Sequence, residues 1–221
     1  MIYVDPTGML EENGGTLSGL ALSLKWGRIP DGWKDVTGDF SDLVFKDDKT
    51  GLNARLFKSE KGDNVLVFEG LNPASKEDRS AAGEQAREGS TEGQFKQARK
   101  LVEDLLEKEG IDASNLTLTG SSLGGGLAAY ASLPKSIRTI TFNAAGVHPD
   151  NVDSHANNVT NYYMWGDSLT FLQNTTRLPA AIGEQIMVTP TLGDRLIATS
   201  LLLFGGTYLH LIGPMHRALK K

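Results

Sequence analysis

Leu116-Thr117-Leu118-Thr119-Gly120-Ser121-Ser122-Leu123-Gly124-Gly125-Gly126 joins two kinds of local structure through a corner of small residues. Leucines alternate with β-branched threonines up to position 119, the period-two pattern of a strand. Leu127 to Leu133 is alanine-rich and reads as helix. Between them lies Gly-x-Ser-x-Gly, complete, in the strand-to-helix context that gives the motif meaning. Glycines at 120 and 124 remove the Cβ atoms that would block a tight turn, while Gly125, Gly126, Ala128 and Ala129 let the helix lie close to a sheet. Ser122 is thereby presented as a nucleophile at a helix N-terminus, with the Leu123 N–H able to face a developing oxyanion. A phosphate cradle would need Gly-x-Gly-x-x-Gly or a Lys-Ser/Thr ending, and neither is present.

Outward from this corner, strands and helices alternate. Ala54 to Phe57, a Lys61–Asn64 turn and Val65 to Phe68 predict a hairpin feeding a buried strand. From Gln94 onward, Phe95, Ala98, Leu101, Val102, Leu105 and Leu106 share one helical face, and Gly110 closes that run. Ile137 to Phe142 and Val159 to Trp165 read as further strands. The alternation predicts an α/β fold with a mostly parallel central sheet flanked by helices, its ligand site at the carboxyl edge. Asn72 to Gly93 holds almost no large apolar side chain and reads as a solvated insertion, or as a cover over a cleft.

A serine hydroxyl needs a base. The histidines are His148, His155, His210 and His216. The chain order serine, acid, histidine of the strand–turn–helix hydrolases favours the last two. His210 precedes an amphipathic stretch and can sit in a loop or first turn, and His216 falls within that stretch. For the acid, Asp167 follows the strand ending at Trp165 and can accept an imidazole N–H; it can equally cap a helix starting at Ser168. Asp194 is the second candidate, without a visible strand before it. The other oxyanion amide is expected from the loop after Phe68, at Leu71, with the Glu69 side chain turned away toward an arginine or lysine.

Composition removes several classes. With 221 residues, 39% hydrophobic, the chain can bury one domain's core. No cysteine is present, which excludes disulfides and thiolate metal sites and fits an exported protein. Acidic residues outnumber basic ones by 27 to 22, so phosphate neutralisation of a nucleic acid is not favoured. No metal cluster or cofactor motif stands out, and none is expected. The first 25 residues lack the basic start and apolar core of an ordinary signal peptide. The apolar tract Leu196 to Gly213 is interrupted by Thr199, Ser200, Gly205, Gly206 and His210. It reads as buried helix or lipid-facing surface, not as a membrane span.

Several of these segments together carry a family resemblance. Phe68-Glu69-Gly70, Gln94-Phe95-Lys96-Gln97-Ala98, Gly120-Ser121-Ser122-Leu123-Gly124-Gly125-Gly126, Thr141-Phe142-Asn143-Ala144-Ala145-Gly146 and Trp165-Gly166-Asp167 are similar, in order, to class 3-like lipases. The likeness is strongest to the phospholipase domains of bacterial type VI secretion and RHS toxins. It implies an α/β-hydrolase fold, Ser122 as nucleophile, Asp167 as acid, a C-terminal histidine as base, and Leu71 with Leu123 as oxyanion amides. Ser121 stands where the family usually has histidine, and Phe-Glu-Gly-Leu where it commonly reads Phe-Arg-Gly-Thr.

Tyr3 to Met9, with its Asp5-Pro6-Thr7-Gly8, resembles the segment that closes an RHS core, so residues 1–20 read as a linker and 21–221 as the hydrolase domain. The resemblance further implies cleavage of glycerophospholipid esters at a competitor's membrane by a secreted antibacterial effector, with a cognate immunity protein as partner. Two other readings are a non-catalytic binding module on this fold, and a thioesterase or peptidase using the same triad.

Overall fold

The structure, a computed structural model, describes residues 9–70, 93–152, 156–201 and 204–220. Its centre is an eight-stranded sheet. In chain order the strands are β1 (Trp33–Asp35), β2 (Lys46–Asp47), β3 (Leu52–Ser59), β4 (Asn64–Phe68), β5 (Leu116–Ser121), β6 (Thr139–Phe142), β7 (Val159–Met164) and β8 (Glu184–Val188). They lie in the spatial order β1-β3-β4-β5-β6-β7-β8, with β2 paired to β3. From β4 to β8 every pairing is parallel, and β1 and β3 add an antiparallel margin. The expected hairpin is β3–β4, turning at Gly62, whose φ of 94° suits a residue without Cβ.

Both faces of the sheet are covered, and the strand residues alternate between them. Leu66 and Phe68 of β4 face one core with Leu56, Leu116 and Leu118; Val65 and Val67 face another with Phe57, Ile140, Phe142 and Met164. Over the first face pack α2 (Gln94–Glu107) and α3 (Leu123–Ser132). The apolar stripe of α2 meets α3 where the Phe95 and Tyr130 rings stand edge to face at 5.5 Å. Over the second face pack α1 (Met9–Trp26) and the C-terminal helix α7 (Ile212–Leu219), through Leu17, Leu20 and Met215. Among the described residues, α4 (Ser168–Thr175), α5 (Leu192–Ser200) and α6 (Gly205–His210) lie between β7 and α7 in sequence. A mostly parallel sheet with helices on both faces and a tight Gly-x-Ser-x-Gly corner between β5 and α3 is an α/β-hydrolase fold.

Three expectations are corrected here. Residues 9–20, read as linker, belong to a helix whose Leu17 and Leu20 are buried against the sheet; their glycines made the segment look permissive. Gly15 and Gly19 instead let α1 approach α7, since a Cβ on Gly15 would lie 3.3 Å from the Leu219 carbonyl oxygen. Asp5 to Gly8 lies outside the described residues, as does the whole of the predicted insertion Asn72–Gly93 except Gly93 itself. Asp194 does have a strand before it, β8, which is half polar and exposed at the sheet's edge and so shows no apolar run. The tract 196–213 is no single helix. It breaks into the end of α5, α6 and the start of α7, with Leu209 buried but Phe204 and Leu211 exposed.

Among the described residues no helix is long and apolar enough to cross a membrane, and no group of three or more acids and histidines could hold a metal ion.

Candidate active site

Ser122 sits between β5 and α3 with φ 54° and ψ −125°, a conformation that L-residues adopt only when the surroundings impose it. The surroundings are visible. A Cβ on Gly120 would lie 2.5 Å from the Gly124 backbone, and one on Gly124 would run into the Phe68 carbonyl oxygen. The corner is then pinned from β6: Ser122 N–H donates to the Phe142 carbonyl at 3.0 Å, and Ala145 N–H donates to the Ser122 carbonyl at 2.8 Å. Both glycines of the motif are therefore steric requirements of the turn.

Three of the expected site residues meet. His210 Nε2 lies 2.9 Å from Ser122 Oγ, and His210 Nδ1 lies 2.6 Å from Asp167 Oδ1. With its proton on Nδ1 donated to Asp167, the imidazole offers a lone pair to the serine hydroxyl. Asp167 follows β7 and is 2% exposed. Its second oxygen, Oδ2, accepts the Thr170 N–H at 2.6 Å. It thus caps α4 with one oxygen while the other meets the His210 ring.

The other two candidates lie elsewhere. His216 is carried by α7 to α1, where Nδ1 stands 2.9 Å from Ser18 Oγ. The Ser18 hydroxyl donates to the Gly15 carbonyl, so the histidine is the donor of this pair. Burial first, and then the Lys220 and Arg217 charges, hold the His216 pKa below its ordinary value, against a raising bond to Gly15. Asp194 is also 2% exposed, but it binds Arg217 Nη2 at 2.5 Å and the Tyr208 hydroxyl at 2.8 Å. Burial works against its charge, and the bonds from Arg217, Thr191 and Tyr208 outweigh this and leave its pKa lowered. His148 caps a short turn beside Asp150, and His155 lies outside the described residues.

Of the two expected oxyanion amides, Leu123 N–H opens α3, where first-turn N–H groups have no intrahelical acceptor. Leu71 lies outside the described residues. The loop leading to it does approach the corner, since a Cβ on Gly70 would lie 2.8 Å from the Ser121 carbonyl oxygen. Glu69 turns away as expected, but among the described residues its carboxylate is met by the Asn53 amide, in place of an arginine or lysine.

One residue near the triad had no role assigned from sequence. Asn143 follows β6 with φ 46°, is 1% exposed, and donates to the His210 carbonyl at 3.0 Å. A usable signal was its position: asparagine tolerates the left-handed region, and it stands where a strand must turn sharply.

This arrangement, a strained serine aligned with a buried Asp–His pair and a helix N-terminus, is suited to covalent acyl transfer. The phospholipase-like family, in the form of its Tle-like phospholipase domain, matches residues 22–202. An extracellular phospholipase A1 of Serratia liquefaciens is 34% identical over 195 residues, covering 70% of this chain and 61% of that protein; the chain therefore spans about three fifths of its relative's length. Among solved structures, the extracellular lipase LipA from Serratia marcescens superposes with a TM-score of 0.43 at 15% identity, covering 62% of this chain and 28% of that one. A hyperthermophilic esterase from Pyrobaculum calidifontis gives 0.38 at 13% identity, covering 98% and 93%. With more than four fifths of its length matched, the chain belongs to the phospholipase-like family, as a Tle-like phospholipase domain.

Proposed function

We propose that the chain is a serine ester hydrolase that cleaves acyl chains from glycerophospholipids, at the sn-1 or sn-2 bond, with Ser122 as nucleophile, His210 as base and Asp167 as its orienting acid. The observation that carries this reading is the run of contacts Ser122 Oγ to His210 Nε2 at 2.9 Å and His210 Nδ1 to Asp167 Oδ1 at 2.6 Å. Ser122 Oγ attacks the ester carbonyl while its proton passes to Nε2. The oxyanion is met by Leu123 N–H and, beyond Gly70, by Leu71 N–H. The imidazolium then protonates the departing lysophospholipid alkoxide, and water, deprotonated by His210, releases the fatty acid.

A lipid substrate also fits the helices around the site. On α5 the order of burial is inverted: Asp194 is 2% exposed whereas Leu192 is 74% and Leu196 is 64% exposed. Phe171 on α4 and Phe204 before α6 are likewise exposed. An apolar rim beside an ester-cleaving centre suits contact with a bilayer. Charge points the same way: from Val159 onward the chain has five basic and three acidic residues, two of them the buried Asp167 and Asp194, while the remainder is acidic.

Replacing Ser122 by alanine should abolish release of fatty acid from phospholipid vesicles, and the wild type should react covalently with a fluorophosphonate at Ser122. An unreactive wild-type serine would instead indicate a binding module. Mass spectrometry of products from mixed-chain phospholipids separates sn-1 from sn-2 cleavage, and thioester and peptide substrates test the remaining readings. We further propose that the domain acts as a secreted antibacterial effector neutralised by an immunity protein. Delivery of the wild type, but not of Ser122→Ala, to the periplasm of a bacterial host should arrest growth; equal growth of both would reject the role.

A further inference from the structure

We infer that Asn143 is a positioning residue for the proposed reaction, setting the serine and the histidine in register through one side-chain amide. The inference rests on the triad reading above. Three observations carry it. First, Asn143 is held at φ 46° at the carboxyl end of β6 and is 1% exposed, so its side chain has a fixed direction. Its backbone N–H donates to the Tyr162 carbonyl on β7 at 2.8 Å.

Secondly, the amide uses both its ends. Oδ1 accepts the Met164 N–H at 2.8 Å, at the strand end that leads to Asp167. Nδ2 donates to the Leu209 carbonyl at 3.3 Å and to the His210 carbonyl at 3.0 Å. One side chain therefore ties the approach to the acid to the backbone of the base. Thirdly, the residues flanking Asn143 hold the nucleophile: Phe142 and Ala145 bracket Ser122 through its N–H and its carbonyl.

The histidine needs such a tie. It is the last residue of the six-residue helix α6, followed immediately by the turn at Leu211. Its ring must stay within hydrogen-bond reach of two partners at once, and small displacements of a reacting group cost large factors in rate. All of these side-chain hydrogen bonds go to backbone, so Asn143 acts on the histidine through the backbone of His210.

The two halves of the amide can be tested apart. Asn143→Asp keeps an acceptor for Met164 N–H and the tolerance of positive φ, but turns an acceptor toward the Leu209 and His210 carbonyls. Asn143→Gly keeps the backbone conformation and loses all three side-chain bonds. Thr139→Val, at the opposite end of β6, removes a buried hydroxyl that donates to the Ile137 carbonyl at 3.0 Å and serves as the stability control. For each variant the thermal midpoint, kcat and KM on a soluble short-chain ester, and the rate of fluorophosphonate labelling of the folded fraction are measured.

Asn143→Asp and Asn143→Gly should each lower kcat and labelling rate by at least tenfold with KM within about twofold, whereas Thr139→Val should lose midpoint and keep its labelling rate. Labelling of either Asn143 variant at the wild-type rate, or a loss that merely tracks the midpoint as Thr139→Val defines it, overturns the inference. If Asn143→Asp fails to fold, Asn143→Gly decides alone. A wild type that does not label defeats the triad reading itself, which is a different result.

Discussion

Asp167 makes one contact with each oxygen, Oδ1 to the His210 ring and Oδ2 to the Thr170 N–H, and this division makes a single substitution informative. Asparagine can still cap α4 by accepting Thr170 N–H, because asparagine is as good a cap as aspartate. It cannot keep the imidazole in the required tautomer. Under the proposed mechanism Asp167→Asn should therefore fold with a nearly unchanged thermal midpoint and lose about 10⁴-fold in kcat, the size of effect seen when a triad acid is made neutral. A matching loss of midpoint and activity would mean that the residue is structural only. At this scale the sequence was easy to read for Ser122 and Asp167, since each follows a strand directly. The histidine was not, because His210 and His216 lie only six residues apart, the first just before and the second within the same amphipathic stretch. The helix break at Leu211, φ −66° and ψ 146°, turns the chain so that the first ring meets Ser122 and the second meets Ser18.

Among the helices, α5 has the most unusual burial. It is anchored by its acid and shows its leucines to solvent, which explains why periodicity did not find it: the pattern expected of a core-facing helix is turned outward. Two consequences follow from the two sides of this helix. Leu192→Ser combined with Leu196→Ser should leave stability within about 0.5 kcal/mol, as surface changes do, and leave soluble-ester turnover intact. Partition of the Ser122→Ala protein onto phospholipid vesicles in a flotation assay should fall several-fold when the two serines are added; unchanged flotation would detach α5 from lipid contact.

On its inner side, Asp194→Ala leaves Arg217 and Tyr208 without their common partner. Full burial of both charges would make this cost about 3–5 kcal/mol, but Arg217 is nearly half exposed, so about 2–3 kcal/mol is expected by denaturant titration. The edge strand β8 escaped notice for a related reason, as its polar, half-exposed residues lack the apolar run that marked the central strands.

At the scale of the whole molecule the sheet was legible from β3 to β7, where strand patterns, glycine corners and helix faces agree, and the N-terminal helix was not. Gly14 and Gly15 in α1 look like loop residues until the close-packed partner, α7, is seen. That packing also makes stability depend on pH. The His216 pKa is lowered in the folded protein, so the folded state binds this proton less readily than the unfolded chain does. The stability at stake is fully present above about pH 6.5, the unfolded value, and declines as the pH falls below it. Ser18, the Gly15 carbonyl, Lys220 and Arg217 act on the ring, and Arg28 and Asp31 line the cavity beside it. Thermal midpoints of the wild type should drop between pH 7.5 and 5.5 by more than those of His216→Gln; parallel curves would show that the proton is not excluded.

Because a Cβ on Gly14 would lie 3.6 Å from the Leu219 side chain while both helices lie on the same face of the sheet, the first half of α1 and the end of α7 are neighbours in space. A short tether could join them, and new ends could then be cut at the exposed Lys61–Gly62 turn. Such a circular permutant would keep every strand pairing, with the order of segments along the backbone changed and the corner at Ser122 untouched.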